Sequence, residues 1–362
     1  MRQLKHALLT ASKLVGLFRL AGYLTGGGLR ILCFHGVSLA DEHRFRPKLF
    51  MQADTFEGRL ALLQRHGFPV LPLGEAVERL REGTLPPRAV AITVDDGFYG
   101  TYGEAMPRLR RLGMPATLYV TSYYVLKPGP VFELVVQYMF WKTRRVEVDL
   151  GGLGPATPLA VSLRDEAAQK RVMHQIIDYG NAQGDEAVRS ELLRKLGARL
   201  GVDYEEIIRR RLFGLMSLEE VRDLAAQGVD VQAHTHRHCF PEEEWAARKE
   251  LADNRAVLEP ATGRRLEHFC YPSGVWSARH WPWLASEGMK TATTCDEGLN
   301  YPGTPVLALR RFIDGEDVST LEFEAELSGF SELVRTGRQA IRRLLEVGGA
   351  RSLTCLLAAF AP

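Results

Sequence analysis

Short apolar, β-branched segments alternate with amphipathic helical segments over most of the 362-residue chain. Apolar runs centred near residues 31, 90, 116, 230, 268, 290 and 306 predict seven strands. Between most of these runs, apolar residues recur at helical spacing and Gly or Pro marks the turns. Strand, helix and strand joined by short turns are typical of parallel sheets. The pattern therefore predicts an α/β protein with a distorted (β/α)7 TIM-like barrel.

This alternation breaks between residues 124 and 216, where the chain is mixed in pattern and carries a helical run from Asp185 to Phe213 that is rich in Arg and Glu. We expect this stretch to be a mainly helical insertion that covers the barrel. The predicted division is an amphipathic N-terminal segment (1–28), a barrel (29–330, with the insertion at about 124–216) and an Arg-rich C-terminal tail (331–362).

The first segment has apolar residues at helical spacing, interrupted by Lys13 and Arg19. These two charges are incompatible with the core of a signal peptide, and the run is too short and too charged to span a bilayer. A basic amphipathic helix of this kind lies on an anionic membrane surface or packs on its own domain. Both alternatives stay open at this point.

Composition excludes some classes of protein. The net charge of +2, from 46 basic and 44 acidic residues, is too balanced for a dedicated nucleic-acid binder. The odd number of widely spaced cysteines predicts reduced core residues of a cytoplasmic protein, with a packing role for Cys239. The cysteines are Cys33, Cys239, Cys270, Cys295 and Cys355.

Candidate chemistry begins where the run Ala89–Val94 ends in Asp95, Asp96 and Gly97. Neighbouring side chains of a strand point to opposite faces, so the two carboxylates can share one cavity only if the strand breaks there, which Gly97 permits. Adjacent carboxylates also repel each other, and a bound cation would keep both ionised.

A second apolar run is followed by His234, His236 and His238. Three imidazoles in five residues are hard to explain by packing, so the pattern favours a metal site made by one Asp and two His with an open position for water. His236 falls between the two expected ligands and should point away. Zinc is the default, and cobalt, nickel or iron would also suit such a site.

These residues resemble the motifs of a known family. Thr93–Gly97 and His234–His238 resemble the first and second motifs of the polysaccharide deacetylases, carbohydrate esterase family four. Tyr271–Gly274 resembles the third motif, although Ser273 stands where the family usually has an aromatic residue.

Two more segments resemble the circularly permuted branch of this family. Cys33–Val37 looks like its amino-terminal histidine motif, and Leu309–Phe312 looks like its late arginine motif. The resemblance implies metal-assisted amide hydrolysis. It implies that Asp96, His234 and His238 bind the metal, that Asp95 is the general base, and that His35 is the general acid. It also implies that the backbone N–H of Ser273 donates to the oxyanion and that Arg311 orients the base.

By this resemblance the substrate is an N-acyl, most simply N-acetyl, amino sugar of a cell-surface glycan or of its lipid-linked precursor. We expect a cytoplasmic enzyme, attached to the inner face of the membrane if the N-terminal segment and the tail bind lipid. One alternative is a deacylase of a soluble sugar nucleotide or small amide, with the insertion as a lid. Another is an inactive glycan-binding protein. The sequence makes no prediction about the oligomeric state.

Overall fold

The computed structural model describes residues 2–127, 129–155 and 157–348. Within them one curled parallel sheet runs in the order β6-β5-β4-β3-β2-β1-β7. Its strands are β1 (Arg30–Phe34), β2 (Val90–Val94), β3 (Thr117–Val120), β4 (Asp230–Ala233), β5 (His268–Cys270), β6 (Thr291–Thr293) and β7 (Phe312–Ile313). This topology confirms the predicted barrel-like α/β fold. The apolar end of the predicted tail, with Arg351 and Cys355, lies outside the described residues.

The segment before β7 joins the two edges of the sheet. On the β6 edge, the N–H of Leu309 donates to the carbonyl oxygen of Ala292 at 2.8 Å. On the opposite edge, Phe312 pairs with Leu32 of β1. The apolar run that predicts a strand near residue 306 therefore forms an isolated bridge at Leu309 followed by the short β7, and this run closes the barrel.

Helices surround the sheet, and an antiparallel pair, Glu147–Val148 with Val161–Ser162, lies in the insertion. Ser217 and Glu220 form a capping box at the start of the helix Leu218–Ala226. The helices are α1 (Arg2–Leu14), α2 (Leu17–Leu24), α3 (Glu42–Phe45), α4 (Ala53–Arg65), α5 (Leu73–Glu82), α6 (Met106–Arg111), α7 (Ser122–Val125), α8 (Phe132–Lys142), α9 (Glu166–Gln183), α10 (Glu186–Leu200), α11 (Tyr204–Arg209), α12 (Leu218–Ala226), α13 (Glu244–Thr262), α14 (Trp281–Ser286), α15 (Thr320–Leu327) and α16 (Phe330–Gly348).

The two largest hydrophobic clusters of the described residues lie in the barrel and in the insertion. The barrel core fills the space between the strands and the outer helices, and all five residues of β1 and of β2 are buried, as expected for a parallel sheet covered on both faces. Helices α8 to α11 form a second core around Val135, Met139, Ile176 and Leu196. The insertion is thus a packed helical unit beside the barrel.

The first two helices pack on the last two. Leu9, Phe18 and Ala325 form a small buried cluster, and the rings of Phe18 and Phe330 lie 5.1 Å apart. Lys5 forms an ion pair with Glu322 of α15 at 3.0 Å. The inner sides of α1 and α2 are therefore fixed to the body of the protein.

Candidate active site

The two adjacent aspartates are separated by a break in the backbone at the end of β2. Asp96 and Gly97 have positive φ angles of 70° and 90°, which end the strand and turn the chain. A positive φ is uncommon outside glycine, and Asp is among the residues that tolerate it. The predicted break therefore starts one residue earlier than Gly97, at Asp96 itself, and it gives the two carboxylates different surroundings.

Asp96 converges with two histidines from the loop after β4. Its Oδ1 atom lies 3.2 Å from Nε2 of His234 and 3.3 Å from Nε2 of His238. One ligand atom from each of the three residues lies within 4.8 Å of the other two. The fold thus brings together the three predicted ligands from segments separated by more than a hundred residues.

The hydrogen bond on the other side of His234 fixes its tautomer. Its Nδ1 atom lies 2.8 Å from the carbonyl oxygen of Cys270, which can only accept, so Nδ1 carries the proton. In the neutral ring, Nε2 then presents a lone pair to the carboxylate of Asp96. Burial lowers the pKa of His234, but the carboxylates of Asp96 and Asp95 outweigh it, and the pKa is raised. The space between Nε2 and Oδ1 therefore favours a positive charge.

These residues fit a divalent metal ion. Oδ1 of Asp96 is buried and makes no hydrogen bond within the described residues. For tetrahedral zinc with ligand distances of about 2.0–2.1 Å, neighbouring ligand atoms are about 3.3 Å apart, close to the separations observed here. The bond from His234 to a backbone carbonyl is also the usual support of a metal-binding imidazole.

Asp95 occupies a different, fully paired environment. Arg311, which is completely buried, donates from its two terminal nitrogens to Oδ1 and Oδ2 of Asp95 at 2.7 and 2.8 Å. The thiols of Cys33 and Cys270 lie 3.5 and 3.3 Å from Oδ2. Burial alone would raise the pKa of Asp95, but the Arg311 guanidinium holds it well below its usual range. Asp95 therefore stays ionised and held in place.

His35 lies on the far side of Asp95, just after β1. Its Nε2 is 4.0 Å from Oδ2 of Asp95, and its side chain is 18% exposed. The carbonyl oxygen of His35 accepts from the hydroxyl of Thr101 at 2.9 Å, which fixes the backbone at this point. An imidazole so close to the carboxylate, and partly exposed, can exchange a proton with a substrate group bound beside Asp95.

Three other predicted positions have different outcomes. Ser273 is exposed in the short helical turn Pro272–Gly274 after β5, and its role as a backbone donor stays a prediction. Nδ1 of His236 lies 2.9 Å from the hydroxyl of Ser122, so this ring points away from the ligand group. Cys239 is exposed, and its predicted packing role is wrong because the loop carries it to the surface.

Two residues of α13 support the histidine loop, and the sequence reasoning missed both. The amide nitrogen of Asn254 donates to the carbonyl oxygen of Thr235 at 2.6 Å, between the two histidine ligands. The carboxylate of Glu250 accepts from the backbone N–H groups of His236 and Arg237 at 3.1 and 2.7 Å. Both are buried polar residues on a helix whose sequence mixes apolar and charged residues. A polar residue in such a helix indicates a supporting role only when its hydrogen-bond partner is known.

A cavity of about 340 Å³ adjoins the candidate metal centre, with Asp96 and His238 in its wall. Its opposite wall comes from the insertion and includes Glu133 and Arg189. Small-molecule sites measure about 300–1,000 Å³. Which side of each insertion helix faces the barrel depends on tertiary packing, so the sequence alone did not identify these wall residues.

Comparisons with known proteins bear on this arrangement. Residues 196–292, which include both histidines of the cluster, match the polysaccharide deacetylase family. YxkH of Bacillus subtilis (strain 168), named as a polysaccharide deacetylase, is 26% identical over 204 residues, which are 54% of this chain and 71% of that protein.

Two solved structures have a similar fold. The Streptococcus pyogenes deacetylase PplD, in complex with acetate, is similar with a TM-score of 0.54 at 16% identity, over 84% of this chain and 99% of that chain. IcaB from Ammonifex degensii is similar with a TM-score of 0.53 at 18% identity, over 83% of this chain and 97% of that chain.

The fold and the cluster define an α/β barrel with a candidate metal-binding group at the carboxyl ends of its strands. Residues 196–292 match the polysaccharide deacetylase domain, and the fold of the chain is similar to the (β/α)7 barrel-like fold of the solved PplD and IcaB structures. This match confirms the resemblance to the polysaccharide deacetylases stated from the motifs, and the resemblance to the circularly permuted branch stays a prediction.

Proposed function

We propose that this protein is a metal-dependent N-deacetylase that removes an acetyl group from an amino sugar. The observation that carries the proposal is the pairing of two unlike carboxylates: Asp96 without a hydrogen-bond donor at Oδ1 and facing two imidazoles, and Asp95 held by Arg311. Asp96, His234 and His238 would hold the ion. When bound, a divalent ion polarises the acyl carbonyl and lowers the pKa of water.

The remaining residues would move protons and orient groups. Asp95, kept ionised by Arg311, is the base that takes a proton from the attacking water. His35 is the acid that protonates the leaving amine, and the backbone N–H of Ser273 is the donor to the developing oxyanion. The sum of these steps converts an amide and water into a free amine and acetate. The assignments of His35 and Arg311 rest on the similarity to the circularly permuted branch.

We further propose that the amino sugar belongs to a cell-surface glycan or to its lipid-linked precursor. The domain match supports an acetylated glycan as the class of substrate. The cavity beside Asp96 favours a buried sugar unit whose acyl group reaches the ligand group. The same cavity would also admit a soluble sugar nucleotide, so the dependence of activity on the number of sugar units in the substrate distinguishes the two proposals.

Acetate release is the direct test. The purified protein, loaded in turn with zinc, cobalt, nickel or iron, is incubated with N-acetylated hexosamines from one unit to long oligomers. We expect acetate and free amine in equal amounts, with activity rising with oligomer length. Equal or greater activity on a sugar nucleotide would favour the soluble substrate. Absence of acetate with every metal and substrate would leave the inactive glycan-binding alternative.

Cells provide the second test. Mass spectrometry of glycolipids and surface glycans from cells with and without the gene should show one acetyl mass more per sugar when the gene is absent. An unchanged glycan profile would contradict the proposed substrate, and it would do so independently of the acetate assay.

A further inference from the structure

An apolar surface lies on the outer side of the first two helices. Among the described residues, eighteen large hydrophobic side chains are exposed, and seven of them lie between Leu4 and Leu24. On α2, Leu17, Leu20 and Leu24 are 40%, 52% and 60% exposed. Their spacing of three and four residues puts them on one side of the helix. We call this set the outer stripe of α2.

The neighbouring side of the same helix is already occupied. Phe18 and Ala21 are buried, and Phe18 packs on Phe330 of α16. A surface helix normally buries its apolar side and presents a polar one. Here the apolar surface of α2 extends past its buried residues, and the outer stripe stays exposed among the described residues.

The charges around this surface are basic. No Asp or Glu precedes Asp41 in the sequence. Arg19, which lies between Leu17 and Leu20 in the sequence of α2, is exposed, and so are Arg342 and Arg343, which lie farther along α16 than its contact with α2 at Phe330. None of these three arginines forms an ion pair with any described residue. The acidic residues that do face α1, Glu322 and Glu324, are paired with Lys5 and Lys13.

We propose that the outer stripe of α2, with Arg19 on the same helix, is a membrane-docking surface for a bilayer that contains anionic lipid. Apolar side chains together with a basic residue on one exposed helix are the combination that inserts into the interface between acyl chains and headgroups. The corner between α1 and α2 adds Leu14 and Val15, which are 81% and 73% exposed.

The geometry favours a helix pair that lies on the membrane. No single described helix is long and apolar enough to cross a bilayer, and α1 with α2 passes that test only as a pair bent by 76°. The bend occurs at Gly16, whose φ is 82°. Leu9 and Phe18 also fix the pair to the body of the protein.

The docking surface and the candidate active site are at different ends of the barrel. The carbonyl oxygen of Gly26, just after α2, accepts from the N–H of Arg88, just before β2. The chain from α2 therefore meets the barrel at the amino ends of the strands, whereas Asp95 and Asp96 follow a carboxyl end. Substitutions on the outer stripe should thus leave the candidate active site intact.

Vesicle flotation of the full-length protein tests the proposal. Vesicles of phosphatidylcholine alone are compared with vesicles that also contain phosphatidylglycerol. We expect flotation with the mixed vesicles, and a partition coefficient lower by at least about tenfold for the Leu17→Glu/Leu20→Glu/Leu24→Glu variant. The matched control is Leu159→Glu/Trp245→Glu, which changes two exposed apolar residues elsewhere and should bind as the original protein does.

The charge contribution is tested separately with Arg19→Gln. This change should weaken binding to the mixed vesicles about fivefold, and added salt should also weaken it. Because it is a neutral change at an exposed position, it keeps the test valid if the triple glutamate variant folds poorly, which a thermal melt would reveal.

Three results would overturn the proposal. The triple variant could float as well as the original protein. The original protein could resist extraction by alkaline carbonate, which would indicate a membrane-crossing segment. Sedimentation could instead show a dimer that the triple variant loses while neither protein binds vesicles, which would identify a second copy of the chain as the partner of this surface.

Discussion

Asp95 and Asp96 are adjacent in the chain, yet their side chains lie in two regions with opposite chemistry. On the Asp95 side, a buried guanidinium and two thiols surround the carboxylate. On the Asp96 side, Oδ1 has no hydrogen-bond donor and faces two imidazole nitrogens. The positive φ of Asp96 creates this division.

The difference explains how a pair of like charges can have two roles. A carboxylate that already binds Arg311 through both oxygens is held ionised and oriented, as a base must be. A carboxylate without donors retains its lone pairs for a cation. Two other candidate metal groups in the described residues, Cys33 with His35 and Asp95, and Asp95 with His234 and Cys270, both need Asp95. Its pairing with Arg311 makes them poorer sites.

Removal of the metal should have the largest effect and act on the Asp96 side alone. Treatment with a chelator is expected to lower the deacetylation rate by about 10³-fold or more, because several kcal/mol of transition-state stabilisation are lost. Zinc added back should restore the rate. Circular dichroism should show little change, since Arg311 still neutralises Asp95. Full activity in the metal-free protein would contradict the assignment of Asp96 as a metal ligand that the reaction requires.

Arg311→Met should act on the Asp95 side. It leaves a buried carboxylate without its partner, so we expect a loss of about 3–5 kcal/mol in the free energy of unfolding. The double variant Asp95→Asn/Arg311→Met removes both charges and should recover a large part of that loss. Denaturant melts of the single and double variants measure both quantities. Equal stability of the two variants would show that the pair is not coupled.

Asn254→Ala should weaken the metal site through its supporting loop. The amide of Asn254 holds the backbone between His234 and His238, and loss of such support typically costs about 10–100-fold in metal affinity. Competition with a fluorescent chelator measures this affinity. Lys249→Ala, an exposed change on the same helix, is the control and should leave it unaltered.

The smallest expected effect is on stability in acid. In the folded protein the pKa of Asp95 is lower than in the unfolded chain, where it is about 3.9. Asp95 therefore stabilises the metal-free protein fully above about pH 4, and this contribution is lost as the pH falls further. The difference in unfolding free energy between the protein and the Asp95→Asn/Arg311→Met variant should narrow below that pH. A difference in unfolding free energy that does not change with pH would contradict the lowered pKa of Asp95.

Much of this arrangement could be predicted from local sequence. Apolar runs that end in polar residues identified the strands and put Asp95, Asp96 and His234 at one edge of a parallel sheet, because the carboxyl ends of parallel strands meet there. The pairing of Arg311 with Asp95 came only from the family resemblance, since no local pattern joins residues more than two hundred positions apart. Long-range contacts also decide the role of Asn254 and which residues of the insertion face the cavity, and no local sequence pattern indicates either.

The most direct test compares Asp95→Asn with Asp96→Asn in metal content and deacetylation rate, measured on the same preparations. We predict that Asp95→Asn retains the metal and loses about 10²–10⁴-fold in rate, because only the base is removed. Asp96→Asn should lose both metal and activity. An Asp95→Asn protein without metal, or an Asp96→Asn protein that keeps its metal, would contradict the division of roles between the two carboxylates.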